Sequence, residues 1–404
     1  MSSIQLIGIA PGDGLGEEQR SLVGRCGCVV ASTRHRQLVE GLGVEVVAIA
    51  PVEQALAAIE QRLASMAVAV LASGDPLFFG IGRTLIARFG RERVQIYPAL
   101  SSMQLACSRF GVPWDDARFV SLHGRSAEAL GGRLLPHAKV FCFTDRVNSP
   151  ASVAKALLAA CENLDDLELA AAYTLQVAEN LGLADERVSQ GSLAEMAGRV
   201  FGDLNVMLLT RPASPGGFPC FGLGEEEVRH SRGLITKDEV RAATLHALRL
   251  PQQGVLWDIG AGSGSVSVEA ARLAPELAVH AVEREPAEVA NIRANCRRFG
   301  AYNVKVVEGA APAALAGLPD PDRVFVGGSG GMLGAIIDHA ASRLQPGGRL
   351  VVNGVVAATR EAAPALLHGA GLDVTISEIA VSRRTFPAGA TRRMNPIAIM
   401  VGVK

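Results

Sequence analysis

LWDIGAGSGS, residues 256–265, is the stretch whose reading decides the fold of the second half of this chain. An apolar run ends in an acid, Asp258, and three glycines follow at alternate positions, Gly260, Gly262 and Gly264. The next residues, SVSVEAARLAP, take up a helical period. Strand, glycine turn and helix form the setting in which backbone N–H groups can close on a nucleotide-like ligand. The spacing is GxGxG and lacks the third glycine that a dinucleotide-binding loop carries two residues later. A carboxylate at the strand end would repel a pyrophosphate and attract an ammonium group, so the spacing and the acid together predict a ligand with a cationic head.

Working outward, the strand AVHAVERE ends in Glu283, about twenty residues beyond the loop, where an acid can accept both ribose hydroxyls. A nucleoside joined to a cationic amino acid describes S-adenosylmethionine. Seven runs after residue 250 read as strands: GVLWDIG, AVHAVE, NVKVVEG, DRVFVGG, GRLVVNGV, LDVTISEIAVS and NPIAIMVGV. They alternate with helical periods, which predicts a seven-stranded, mostly parallel sheet. Upstream, RPASPGGFPCFGLGEEE has neither hydrophobic period and reads as a linker. Before it, IQLIGIA, GCVVAS, VEVVAI, MAVAVLAS and RVQIYPA form a first α/β lobe, and AKVFCFT, LELAAAY and LNVMLLT are the strands expected in a second. The division expected is residues 1–212 in lobes of about 1–111 and 112–212, a linker at 213–227, and a domain at 228–404.

The second domain resembles the class I, Rossmann-like methyltransferases, in which an acid precedes GxGxG and the second strand ends in an acidic ribose ligand. That resemblance implies that Asp258, Gly260, Ala261, Gly262, Ser263 and Gly264 wrap the amino-acid end of S-adenosylmethionine. Glu283 and Arg284 would then meet the ribose, and Gly309 and Ala310 the adenine, with Thr236 over the cofactor. Thr236 also reads, with Asp238 and Glu239, as the N-cap of the lead-in helix.

In the first half, GIAPGDG, LASGDPLFFGIG and YPALSSMQLACSRFG set Gly, Pro, Asp and Ser just past strand ends, where open α/β sheets form ligand crevices. These stretches resemble the tetrapyrrole methylases, a separate two-lobed methyltransferase fold. Pro11, Gly12, Asp13, Gly74, Asp75, Pro76, Leu77, Ser101 and Ser102 become cofactor or cleft residues by that resemblance. Two unrelated methyltransferase folds on one chain resemble the family of two-domain, decarboxylating precorrin methyltransferases of cobalamin biosynthesis. What this implies is one S-adenosylmethionine site per domain, methyl transfer to carbons 5 and 15 of a reduced tetrapyrrole, and decarboxylation of the acetate chain on carbon 12. It also implies association of first domains into a homo-oligomer. The alternative is a methyltransferase for another substrate, with one half acting only as a binding or assembly module.

Composition narrows the partners. Lys and Arg number 39 against 40 Asp and Glu, so no broad basic face for nucleic acid is expected. The 7 cysteines are scattered without a CxxC and the 8 histidines without ligand spacing, so no metal site is expected. A cytoplasmic location fits that cysteine usage, and the N-terminus has no signal-peptide pattern and the chain no membrane-length apolar run. No residue is named as nucleophile, because displacement at a sulfonium demands chiefly alignment. Arginines suit the carboxylates of a tetrapyrrole, and Arg125, Arg383, Arg384, Arg392 and Arg393 are candidates, with Gly328 and Ser329 of VGGSGG bordering the same crevice. His123 is a candidate proton donor.

Overall fold

Aromatics make up 4% of the chain, so its sheets are filled by Val, Ile, Leu and Ala, and there are three large ones. The computed structural model describes residues 3–123, 129–212, 219–231, 235–387 and 389–404. The first sheet contains β1 (Ile4–Ile9), β2 (Cys28–Ala31), β3 (Glu45–Ala48), β4 (Val68–Ser73) and β5 (Val94–Tyr97) in the order β3-β2-β4-β1-β5, all parallel. Every residue of β1 is buried, as expected of a central parallel strand with helices on both faces.

The second lobe holds β6 (Arg118–Ser121), β7 (Lys139–Phe143), β8 (Thr174–Glu179), β9 (Arg187–Ser192) and β10 (Asn205–Thr210), ordered β6-β7-β10-β8-β9. Only β6 and β7 run parallel. The stretch LELAAAY is not a strand. Leu167–Ala172 is a helix, started by the Asp166 side chain accepting from the Leu169 N–H at 3.2 Å, and the strand begins beyond it at Thr174. Strong helix formers with an Asp cap outweigh an apolar run too short to have a period.

All seven strands expected in the C-terminal sheet form: β11 (Gln253–Ile259), β12 (Glu276–Glu283), β13 (Val304–Glu308), β14 (Arg323–Val326), β15 (Arg349–Gly354), β16 (Asp373–Ile379) and β19 (Ile397–Val403). Their order is β13-β12-β11-β14-β15-β19-β16. The sheet is mixed rather than mostly parallel, because β19 is antiparallel to both β15 and β16. The connection from β16 holds a hairpin but, among the described residues, no crossover helix, so the chain doubles back and pairs antiparallel. Between them β17 (Ser382–Arg384) and β18 (Thr391–Arg393) form a separate hairpin.

The lead-in helix spans Asp238–Leu248, and its N-cap position is Lys237 with no side-chain cap. Thr236 is therefore not the cap. Lys237 instead reaches Glu225 at 2.5 Å, and the Thr236 carbonyl accepts from Arg241. The first sheet has its own core on each face, whereas one continuous core joins Tyr173 and Leu175 of the second lobe to Val279, Phe299 and Val304 of the C-terminal sheet. Among the described residues no helix is long and apolar enough to cross a membrane.

Candidate active sites

The glycine loop follows β11 at the carboxyl edge of the C-terminal sheet. Gly260, Gly262 and Gly264 all have positive φ, of 66°, 54° and 76°. A Cβ on Gly260 would strike the Gly328 backbone, whereas one on Gly262 would enter open space. The Gly260 and Ala261 N–H groups donate to the Val282 carbonyl at 2.9 and 3.1 Å, tying the loop to the end of β12. Glu283 secures it further: its carboxylate accepts from the N–H groups of Gly262 at 2.8 Å, Arg284 at 2.8 Å and Glu285 at 3.0 Å.

A cavity of about 220 Å³ opens in front of this loop. Gly260, Glu283, Arg284, Gly309, Ala310, Gly328 and Ser329, all singled out in the sequence, border it, together with Met332 and Ile336, which were not. Ala261, Gly262, Ser263 and Gly264 shape the loop without bordering the cavity, and Thr236 does not border it either. Asp258 sits behind the loop with its residue fully buried. Ser267 Oγ donates to its Oδ2 at 2.5 Å, while Oδ1 has no partner. Burial pushes its carboxyl up to about 7, with Glu283 adding to the shift and the Ser267 hydrogen bonds opposing it.

The second crevice lies in the N-terminal half and is larger, about 430 Å³. Pro11, Gly12, Asp13 and Ser102 border it from the first lobe, and Thr144, Asn180 and Asn205 are among those facing them from the second. Gly12 has φ +79°, and a Cβ there would meet the Gly182 backbone, so the turn can touch the second lobe only as glycine. The turn Gly74, Asp75, Pro76 and Leu77 does not border this cavity. Gly74 packs against Ser101, and Asp75 Oδ1 accepts from the Leu77 N–H at 2.9 Å. Ser101 is spent on structure: it caps Ser102–Phe110, accepting from the Gln104 N–H at 3.2 Å.

Residues 3–197 match the family model of tetrapyrrole (corrin/porphyrin) methylases, and residues 227–402 match that of the precorrin methyltransferase domain. A Sinorhizobium protein named precorrin-6Y C(5,15)-methyltransferase (decarboxylating) is 37% identical over 374 residues, which are 92% of this chain and 88% of that one. The chain belongs to this family. A precorrin-6Y C(5,15)-methyltransferase (decarboxylating) of Mycobacterium tuberculosis is 33% identical over 74% of this chain and 72% of its own. A Salmonella typhi protein named cobalt-precorrin-6B C(15)-methyltransferase (decarboxylating) is 40% identical over 40% of this chain and 83% of its own.

Precorrin methyltransferases of this family use S-adenosylmethionine. The C-terminal loop fits such a ligand on two counts. Gly262 leaves open space where a side chain would stand, and the buried Asp258 Oδ1 lacks the donor that a cationic head would supply.

Not every arginine singled out is free. Arg383 forks onto Glu239 at 2.7 and 2.6 Å, pairs with Glu225 at 2.8 Å and lies 3.5 Å from Asp238, so its guanidinium already faces three carboxylates. These pairs raise its pKa, with Glu239 the larger cause. Arg384, Arg392 and Arg393 lie exposed on the β17–β18 hairpin, and among the described residues none is in an ion pair. Arg125 lies outside the described residues. His123 borders the N-terminal cavity, 3.3 Å from Ser121 Oγ, and so belongs with that crevice rather than with the one in front of the C-terminal glycine loop. The sequence reading passed over Arg34 and His35, which also border that cavity. Their signal, two basic residues in STRHR just beyond β2, was visible but not distinctive.

Proposed function

We propose that the chain methylates carbons 5 and 15 of the reduced macrocycle precorrin-6B, using two molecules of S-adenosylmethionine, and removes the carboxyl of the carbon-12 acetate to give precorrin-8. The observation that carries this reading is the pair of separate crevices, each built at strand ends around a glycine turn beside an acid, on a chain that resembles the decarboxylating relatives over nearly its whole length. Residues 1–212 form the tetrapyrrole methylase domain, 213–227 the linker and 228–404 the methyltransferase and decarboxylase domain. Each domain holds one cofactor. The second domain decarboxylates and methylates carbon 15, leaving carbon 5 to the first.

S-adenosylmethionine supplies an activated methyl group on a positive sulfur. The chain's own part is placement and exclusion of water. Gly260 to Gly264 wrap the amino-acid end, with Asp258 behind them balancing the ammonium, while Glu283 and Arg284 hold the ribose and Gly309 and Ala310 flank the base. In the first domain Pro11, Gly12, Asp13 and Ser102 line the cofactor end, and Gly74 to Leu77 and Ser101 shape it from behind. The macrocycle's pyrrole nitrogens push electrons toward the methyl carbon, so no side chain need be a strong base. For decarboxylation, electrons released from the acetate enter the conjugated ring once it is protonated, and the protein's task is to bury that acetate while pairing its neighbours. The end of β16 meets the start of β19 beside the end of β15, so the hairpin rises from the same sheet edge as the glycine loop. Arg384, Arg392 and Arg393 there are suited to the remaining carboxylates, with Gly328 and Ser329 beneath.

The test uses the intact chain with precorrin-6B and S-adenosylmethionine, read by mass spectrometry. Wild type is expected to add two methyl groups and lose one carbon dioxide. Gly12→Ala should stop after one methyl and the decarboxylation, and Gly260→Ala should block that pair of steps. A wild-type chain that leaves the precorrin unchanged overturns the reading.

A further inference from the structure

Beside the glycine turn of the N-terminal crevice stands a group of polar side chains that holds no cofactor in the reading above. Arg34 and His35 lie on the single helical turn Thr33–Arg36 that follows β2, and Ser73 is the last residue of β4, the neighbouring strand. All three border the cavity. Arg34 Nη2 donates to Ser73 Oγ at 3.0 Å, and that oxygen is 3.4 Å from His35 Nε2. Ser32 caps the turn through the His35 N–H, which fixes where both side chains start.

Arg34 is the unusual member. It is exposed to the crevice, and among the described residues it forms no ion pair. The acids bordering the same cavity are Asp13, in the glycine turn, and Asp203, which is held by Arg146 at 2.6 Å. His35 is buried, and burial, followed by the charge of Arg34, holds its imidazole below the ordinary range, with Leu71 acting the other way. Ser73 Oγ accepts from Arg34 and shares a further hydrogen bond with His35 Nε2, so the three side chains form one connected chain. That leaves the remaining guanidinium donors of Arg34 facing the cavity in a set orientation.

We infer that Arg34 binds a peripheral carboxylate of the tetrapyrrole in the N-terminal crevice, with Ser73 and His35 as the positioning residues that aim it. This rests on the reading of the crevice as the site of one methyl transfer. The crevice thus carries both signs of charge: Asp13 suits a cationic amino acid, and Arg34 suits an anionic ring substituent. A planar fork matches a carboxylate in two parallel hydrogen bonds, which fixes the ring in its plane as well as drawing it in. Alignment of the receiving carbon with the methyl group is what that step requires.

The test is steady-state methylation of precorrin-6B by the full-length chain, alongside S-adenosylmethionine affinity by calorimetry. Arg34→Gln is expected to raise the precorrin KM for the methylation assigned to the first domain about tenfold to hundredfold, with cofactor affinity unchanged. Arg34→Lys should keep part of that effect, since charge survives and the fork does not. Ser73→Ala should raise KM by a smaller factor in the same direction. A KM within about twofold of wild type in Arg34→Gln, or a parallel loss of cofactor affinity, overturns the assignment, because Arg34 would then serve no substrate role or would belong to the cofactor. Failure of wild type itself to methylate precorrin removes the underlying reading as well, and is seen before any variant is made.

Discussion

Asp258 carries the sharpest prediction. Its carboxyl is fully buried, one oxygen is held by Ser267 and the other by nothing, and its pKa is pushed up to about 7 by burial. Without ligand, the site is therefore largely protonated below neutrality. An ammonium group bound in front of the loop stabilises the ionised form, so cofactor binding must expel a proton wherever the empty site holds one. With a pKa of about 7 in the empty site and the carboxyl held ionised by the ammonium in the occupied site, affinity near pH 6 is weaker than near pH 7.5 by about eightfold. Calorimetry in two buffers of different ionisation enthalpy would read both the affinity and the proton released. Asp258→Asn should erase the slope at this site and bind more weakly near pH 7.5, which also separates its contribution from the N-terminal site. The same shift has a stability consequence. The folded carboxyl holds its proton more tightly than the unfolded one, so stability of the cofactor-free domain is full below about pH 4 and falls as pH rises through about 7. Asp258→Asn should escape that fall and melt higher than wild type near pH 8. Equal affinity across this range in wild type, or an unchanged slope in the variant, would refute the argument that Asp258 answers the ligand's positive charge.

Two further predictions concern what holds the C-terminal domain together. Glu269 is buried, accepts from Arg241 Nε at 2.8 Å and from the N–H groups of Gly222 and Leu223 at 2.8 and 2.6 Å, and so pins the end of the linker to two helices. Glu269→Ala leaves the buried Arg241 with the less buried Asp238 as its remaining acid, at a cost of about 3 kcal/mol. A melting point lower by about 10 °C is expected by scanning calorimetry, and a change under about 2 °C would show that the linker end contributes little. Asn163, from the second lobe, donates to the Val304 carbonyl at 2.9 Å and accepts from the Val306 N–H at 3.1 Å, thereby covering the exposed edge of β13. Asn163→Ala should destabilise by about 1–3 kcal/mol and increase light scattering on warming, since an uncovered edge strand pairs with other chains; unchanged scattering would mean that the remaining contacts suffice.

Legibility in the sequence followed how local each signal was. The seven C-terminal strands were readable because each is an apolar run followed by its own turn. The direction of β19 was not, because nothing within NPIAIMVGV records its neighbour. The place of Glu283 at the strand end beside the loop was legible from its distance to the glycines, whereas its three backbone N–H partners, which buttress that loop, were not. The ion pairs of Arg383 were not legible: its partners Glu225 and Glu239 lie more than a hundred residues upstream, and no local pattern tells an arginine already holding carboxylates from a free one. The same blindness hid Arg34, whose interest arises from Ser73, 39 residues away, and from the absence of an acid beside it among the described residues.

The contact between the halves bears on how their activities can be assigned. Asn163 pairs with the backbone of β13, Tyr302 donates to Asp166 at 2.7 Å, Arg297 donates to the Leu164 carbonyl, and Arg133 lies 3.4 Å from Glu276. Beneath these bonds the second lobe and the C-terminal sheet share one apolar core. A chain cut in the linker would thus expose apolar surface on both pieces and the edge of β13 on the C-terminal one, and loss of activity in either piece would report that damage as readily as a missing site. Point variants at the glycine turns change none of the residues that make these bonds. Gly12 lies in the first lobe and Gly260 in the loop after β11, and a Cβ at either would press on backbone, of Gly182 and of Gly328. If the two reactions were carried by one crevice, a single one of these variants would abolish both methylations; if each crevice works alone, each variant must remove its own step and spare the other.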